Sequence, residues 1–155
     1  MLDALSRAKT QARAHLLARA LGSSSNPLLI DRALAQLSNK HLDVDTRQVL
    51  LMRLLERSTT VAPALSYLRE HSLELSETND GRLLLLSVLF GAGLCGPHDL
   101  THAGALSTYA AMRGEIPIAS LEPWLARADL RARQCERLRD EHREPLREAL
   151  RAAPR

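Results

Sequence analysis

The stretch Asp80–Gly114, DGRLLLLSVLFGAGLCGPHDLTHAGALSTYAAMRG, decides how the rest of the chain reads. It holds the longest apolar run, Leu83 to Phe90, broken only by Ser87, and most of the glycines. Two readings compete. In the first, Gly91, Gly93 and Gly96 form a G-x-G-x-x-G turn between a strand and a helix. Such a turn seats a pyrophosphate on the free N–H groups of a helix N-terminus, and Glu115 would be sought as the ribose-binding acid. In the second, the run is a buried helix that ends at glycines, and Pro97 opens the next helix.

Residue type favours the second reading. The run is Leu-rich, whereas buried parallel strands are rich in Val and Ile. Pro97 directly after Gly96 removes an N–H that a phosphate would need. No other segment has the pattern of a companion strand. The run is therefore expected to form a central helix over about 82–92, apolar on all faces, with Leu86 and Leu89 in the core.

Composition extends this to the whole chain. At 155 residues the protein is long enough for one domain with a real core. Aromatics make up only 3%, so the core must be aliphatic; Leu and Ala abound and β-branched residues are scarce. The expected fold class is all-α, an irregular bundle of about six to eight short helices. Helices at intervals of 15–20 residues also fit stacked helical hairpins, but no repeat consensus supports them. One helical domain is expected over 1–140, and a charged, loosely held tail over 141–155.

In order, the pattern predicts a first helix over 2–21 with Leu2, Leu5, Ala12, Leu16 and Ala20 inward, stopped by Gly22. Although the first 25 residues resemble a transit peptide, Asp3 favours a simple helix. Asn26 and Pro27 start a second helix carrying Leu28, Leu29, Ile30, Leu34 and Leu37. Asp45 and Gln48 suggest a capping box for a third over 46–57. Ser58 to Thr60 cap a fourth that ends near His71. A sixth runs from Pro97 to Met112 with Ala103, Leu106 and Ala110 inward, closed by Gly114. Ile116 before Pro117 is extended, and Ser120 caps a seventh helix reaching about Leu138. Trp124 is expected to pack against the bundle, and Pro145 to break or kink the charged tail.

Candidate chemistry is sparse. Cys95, His98 and His102 follow C-x2-H-x3-H around Asp99, which places two imidazoles one helical turn apart as zinc ligands require. The fourth ligand would have to come from Cys135, His142 or water, and a polar helix start explains the same residues. Two cysteines are too few for a disulfide framework, so reduced thiols in a cytosol are expected. His98, His102 and Tyr109 share a helix face suited to acid–base work, but no nucleophile, paired carboxylate or oxyanion hole accompanies them. No metal, no cofactor and no catalytic residue is assigned.

Net charge is +3, with Arg replacing all basic residues except Lys9 and Lys40. The Arg and Ala bias fits a GC-rich bacterial coding sequence. Nucleic-acid contact would use Arg7, Lys9, Arg13 and Arg19 or the C-terminal arginines, but the latter alternate with acids and no helix has a basic recognition face. The apolar run is too short to span a bilayer.

Leu121–Ala126 (LEPWLA) resembles a segment of the tetratricopeptide-like chaperones that hold needle subunits in bacterial type III secretion. The resemblance covers six of 155 residues, carries over no functional residue, and points towards partner binding. The expected function is a non-enzymatic, cytoplasmic interaction module: an adaptor, a secretion-type chaperone or a regulatory subunit. It would bind a partner helix, or a second copy of itself, through a Leu-rich groove. The alternative is a helical nucleic-acid-binding regulator.

Overall fold

Leucine-rich segments separated by caps and glycines fold as the pattern requires, into helices. The computed structural model describes residues 4, 5, 8 and 10–152, and no side chain at 146, 147 or beyond 148. Among the described residues, eight bounded α-helices make an all-α bundle without a strand. They are α1 (Gln11–Gly22), α2 (Pro27–Leu37), α3 (Val44–Leu54), α4 (Ser58–Glu70), α5 (Ser72–Ser76), α6 (Asn79–Ser87), α7 (Pro97–Arg113) and α8 (Glu122–Ala152). Short 3-10 turns follow α6 at Val88–Phe90 and precede α8 at Ile118–Leu121. Among the described residues no helix is long and apolar enough to cross a membrane.

Two helices share the centre. Leu50, Leu51, Leu54 and Leu55 at the C-terminal half of α3 are fully buried, as are Leu84 and Leu85 of α6. Around α3 pack α1, α2, α4 and α6; α7 lies across α4, α5 and α6 and carries α8 on its far side. Small residues let α7 come close. Ala103, Ser107 and Ala110 are buried, and the Ser107 hydroxyl donates to the Leu85 carbonyl (3.1 Å).

Several expected boundaries move, each for a local reason. The expected first helix is interrupted: Ala4 and Leu5 are helical, with Leu5 buried as expected. At Gln11 α1 starts afresh, where the Thr10 side chain caps it by accepting from the Arg13 N–H. Its inner face is Ala14, Ala18 and Leu21; Ala12, Leu16 and Ala20 point outwards. Alanines suit this face because α1 lies close against α3. Leu2, Arg7 and Lys9 lie outside the described residues. Asn26 and Pro27 do start α2, but Leu28 on its first turn is exposed.

The cap of α3 is Asp43, not Asp45. Its carboxylate accepts from the Thr46 N–H (2.8 Å) and the Thr46 hydroxyl (2.7 Å), while Gln48 reaches across to Ser87 (2.9 Å). Nor do Ser58–Thr60 cap α4: Arg57 holds the cap position without a side-chain bond, and the Thr60 hydroxyl donates back to the Leu54 carbonyl (2.5 Å). Ser120 sits within a 3-10 turn, and α8 continues through Pro145 and past residue 140. Pro145 is exposed, so the carbonyl it leaves unbonded one turn earlier faces water.

The central helix is shorter and less uniformly buried than its composition suggests. Its α-helical part starts at Asn79, capped by the Thr78 side chain, and stops at Ser87. Leu84, Leu85, Val88 and Leu89 enter the core, Leu86 is half-buried, and Leu83 is 46% exposed. Leu89→Ala should therefore cost roughly 2–5 kcal/mol in urea unfolding, and Leu83→Ala less than about 1 kcal/mol. Equal losses at the two positions would contradict this packing.

Partial burial opposes the charge of Asp43, but the two hydrogen bonds from Thr46, aided by nearby His15, hold its carboxyl below the usual aspartate range. A depressed carboxyl stabilises the fold at neutral pH and loses that contribution as pH falls through its folded value. Asp43→Ala should lower stability by about 1 kcal/mol at neutral pH, with the difference closing below pH ~4. A difference unchanged down to pH ~2 would refute the cap's role.

Candidate interaction surface and its covalent clamp

The glycines of the opening stretch serve packing. The Gly93 N–H donates to the Leu55 carbonyl (2.6 Å), and a Cβ on Gly93 would stand 2.3 Å from that same oxygen. Gly96 has φ +103°, a conformation that side chains resist. The backbone of Gly93 is thus spent on the end of α3, and no strand precedes it. Glu115, at φ +56°, belongs to the turn after α7. A dinucleotide site is not built here.

The structure also separates the residues of the zinc-like spacing. Cys95 is bonded to Cys135, with Cα atoms 5.4 Å apart, so neither sulfur is a free thiolate. The expectation of two reduced thiols is corrected: chain topology brings together cysteines 40 residues apart, which spacing cannot reveal. His98 and His102 remain neighbours, their Nε2 atoms 3.3 Å apart, in a shallow cleft of about 220 Å³ with Asp99, Ser66 and Arg69. Asp99 is turned to the Cys95 N–H (3.3 Å), and Ser66 donates to Glu70 (3.0 Å). Tyr109 stands two turns from His102, with its hydroxyl near Ser76 (3.4 Å). His142 lies two turns beyond Cys135 on an exposed part of α8. No group of three or more His, Cys, Asp or Glu able to hold a metal forms among the described residues.

The N-terminal arginines do not converge either, since Arg13 and Arg19 are six residues apart on α1 and so about 120° around it. On α8, Arg133 faces Asp129 (2.8 Å), Arg137 faces Glu141 (3.5 Å) and Arg139 faces Glu136 (3.8 Å).

What the structure does assemble is a small aromatic platform. Phe90 lies in the 3-10 turn after α6, two turns on from exposed Leu83 and so on the same outward side, while Val88 and Leu89 stay in. Phe90 meets Trp124, from the first turn of α8, edge-on at 5.1 Å between ring centroids. The Arg127 guanidinium stands 5.2 Å over the indole, and that of Arg131 donates to the Leu89 carbonyl. With Leu89 and Leu130 these residues line a depression of about 270 Å³.

Trp124 packs against the bundle as expected, on Phe90, but the expectation that the 83–90 run is apolar and buried on all faces misses this surface. A spacing signal was present: Trp124 and Arg127 are i,i+3 on an exposed helix, and Phe90 ends its run beside a glycine. The sole Phe and the sole Trp are 45% and 40% exposed. At ~25 cal/mol per Å² over roughly 200 Å² per ring, that exposure forgoes about 2 kcal/mol each. The ring pair returns only about 1 kcal/mol. The surface is costly to the fold.

Its second half is held by few large buried side chains besides the disulfide. The inner face of α8 is Leu121 just before it, half-buried Leu125, Ala128, Ala132 and half-buried Cys135; residues 137–145 are all exposed. A buried alanine methyl contributes only about 0.8 kcal/mol, and a disulfide about 2–4 kcal/mol.

Comparison with known proteins finds no matching family model, no matching curated protein and no matching solved structure.

With Cys95 engaged, the imidazole pair lacks a third ligand, so purified protein should carry no stoichiometric zinc and a chelator should leave its melting temperature unchanged. One tightly held zinc per chain, lost on His98→Ala, would contradict that assignment.

Proposed function

We propose that this protein is a non-enzymatic interaction module that seats an amphipathic helix of a partner protein on the Phe90–Trp124 platform. The observation that carries the reading is the exposure of the chain's sole Phe and sole Trp against each other, at a cost that folding does not recover. Half-exposed aromatics flanked by arginine are the composition of interface hot spots. Charge specifies the occupant. Arg127 lies over an indole and Arg131 on a carbonyl, so neither is spent on a carboxylate among the described residues. A helix with an apolar row rimmed by Glu or Asp would supply what both lack. A second copy would bring the same arginines face to face, which disfavours self-docking at this spot.

The groove proposed here is aromatic and arginine-rimmed, with Leu89 and Leu130 in its lining, where composition alone suggested a Leu-rich groove. Adaptor, chaperone and regulatory subunit all remain roles such a surface can serve. The nucleic-acid alternative draws less support, because the arginines of α8 alternate with carboxylates at ion-pair distance. The Cys95–Cys135 bond favours an oxidising compartment over a reducing cytosol.

The test uses two synthetic helical peptides with the same Leu row, one rimmed by Glu and one by Lys, and a mixed-sequence DNA duplex. The Glu-rimmed peptide should shift Trp124 emission and bind at least about tenfold tighter than the Lys-rimmed one. Trp124→Ala or Phe90→Ala should weaken it by a further ~10-fold or more. Duplex binding should be weak and lost with rising salt. Sub-micromolar duplex affinity at ~0.15 M salt, with no preference between the peptides, would replace this reading with the nucleic-acid one.

A further inference from the structure

We infer that the Cys95–Cys135 bond is a redox latch: reducing it releases α8 from the body and dismantles the Phe90–Trp124 platform. The inference deepens the docking reading and rests on it for what the latch controls.

The platform is composite. Phe90 and Leu89 come from the end of the core run, whereas Trp124, Arg127, Leu130 and Arg131 come from α8. It exists only while α8 lies against the 88–96 segment. That segment is fixed on one side by the Gly93–Leu55 hydrogen bond, independently of α8. On the other side it is joined to α8 by the Arg131–Leu89 hydrogen bond, the Phe90–Trp124 ring contact and the disulfide, the last being the one covalent link. Cys135 is also the last inward-facing residue before α8 runs out exposed over 137–145. The bond therefore clamps the helix at the point where it leaves the body. Between Trp124 and Cys135 the inward residues are half-buried Leu125 and two alanines, so noncovalent docking of this stretch is thin.

The chemistry is reachable, since both cysteines are only partly buried. A dithiol reductant supplies the two electrons. Its thiolate attacks one protein sulfur and expels the other as a thiolate, forming a mixed disulfide. The reductant's second thiol then displaces the attacked protein sulfur and closes its own disulfide. The protein ends with two thiols, with protons taken from the reductant and water. The core of α1–α6 contains neither cysteine, so the release is confined to the α7–α8 side.

The experiment uses the full chain oxidised, reduced with dithiothreitol (both thiols verified by alkylation) and re-oxidised, together with Cys135→Ser and Cys95→Ser. Reduction of the folded wild type keeps the test valid if either variant does not fold. Hydrogen exchange at 122–135 should accelerate by ~30-fold or more, and that of Gln11–Ser87 by less than about threefold. Trp124 emission should move to the red, and binding of the Glu-rimmed peptide should fall at least about tenfold, all restored on re-oxidation. Unchanged exchange at 122–135 in verified reduced protein overturns the latch. So does equal loss of protection throughout Gln11–Ser87, which would make the bond a general staple. The two readings part cleanly. Peptide binding indifferent to redox state, with unchanged exchange, sinks the latch and keeps the platform. Released α8 in a protein whose oxidised form ignores the peptide keeps the latch and sinks the docking reading.

Discussion

Everything distinctive in this fold hangs from the last turn of α3, where two backbone carbonyls are spent on segments from elsewhere in the chain. The Leu54 carbonyl accepts the Thr60 hydroxyl and so fixes the start of α4. The Leu55 carbonyl accepts the Gly93 N–H and so fixes the glycine segment after the core run. Helix-end carbonyls have no partner inside their own helix, and a buried unpaired one costs about 1–3 kcal/mol. Satisfying them with distant donors turns that liability into an alignment device. Gly93 is required because a side chain there would occupy the space of the carbonyl itself.

From that anchor the candidate site follows step by step. A fixed segment at 91–96 sets where Cys95 stands and which way the preceding 3-10 turn presents Phe90. Cys95 takes Cys135 and with it the position of α8, which brings Trp124 to Phe90. A second cross-link between central helices is Arg47 of α3, buried to 3% exposure and paired with Asp80 at the start of α6 (3.0 Å). Burying a guanidinium without such a partner would cost several kcal/mol. Nothing in the spacing around Arg47 distinguishes it from the chain's exposed arginines.

The energetics divide the molecule. The α3–α6 centre is a dense aliphatic core in which leucines are excluded from water. The α8 side is held mainly by Leu121, Leu125, two alanines, the Arg131–Leu89 hydrogen bond and one covalent bond, and it carries the exposed Trp124. Tight packing is thereby concentrated in the α3–α6 centre, and the α8 side is attached with fewer large buried side chains.

Much of the fold was legible in the sequence, and the reasons are local. Leu and Ala content decided all-α; Asn26-Pro27, Pro97 and Gly114 marked helix ends, because capping and φ restriction act within a few residues. Ala103, Leu106 and Ala110 were readable as an inward stripe because helical period alone dictates it. The sequence also made the glycine motif doubtful, through Pro97 and the absence of companion strands. Tertiary structure decided the rest. Which face of α1 turns inward depends on how closely α3 approaches, and local hydrophobicity chose the wrong arc. The pairing of Cys95 with Cys135 depends on where α8 returns, 40 residues on. Phe90 read as core because it is apolar within an apolar run. It lies two turns on from exposed Leu83, on the outward side, where α8 brings Trp124 against it. The platform exists only where two segments distant in sequence meet, and no spacing within either one encodes that meeting.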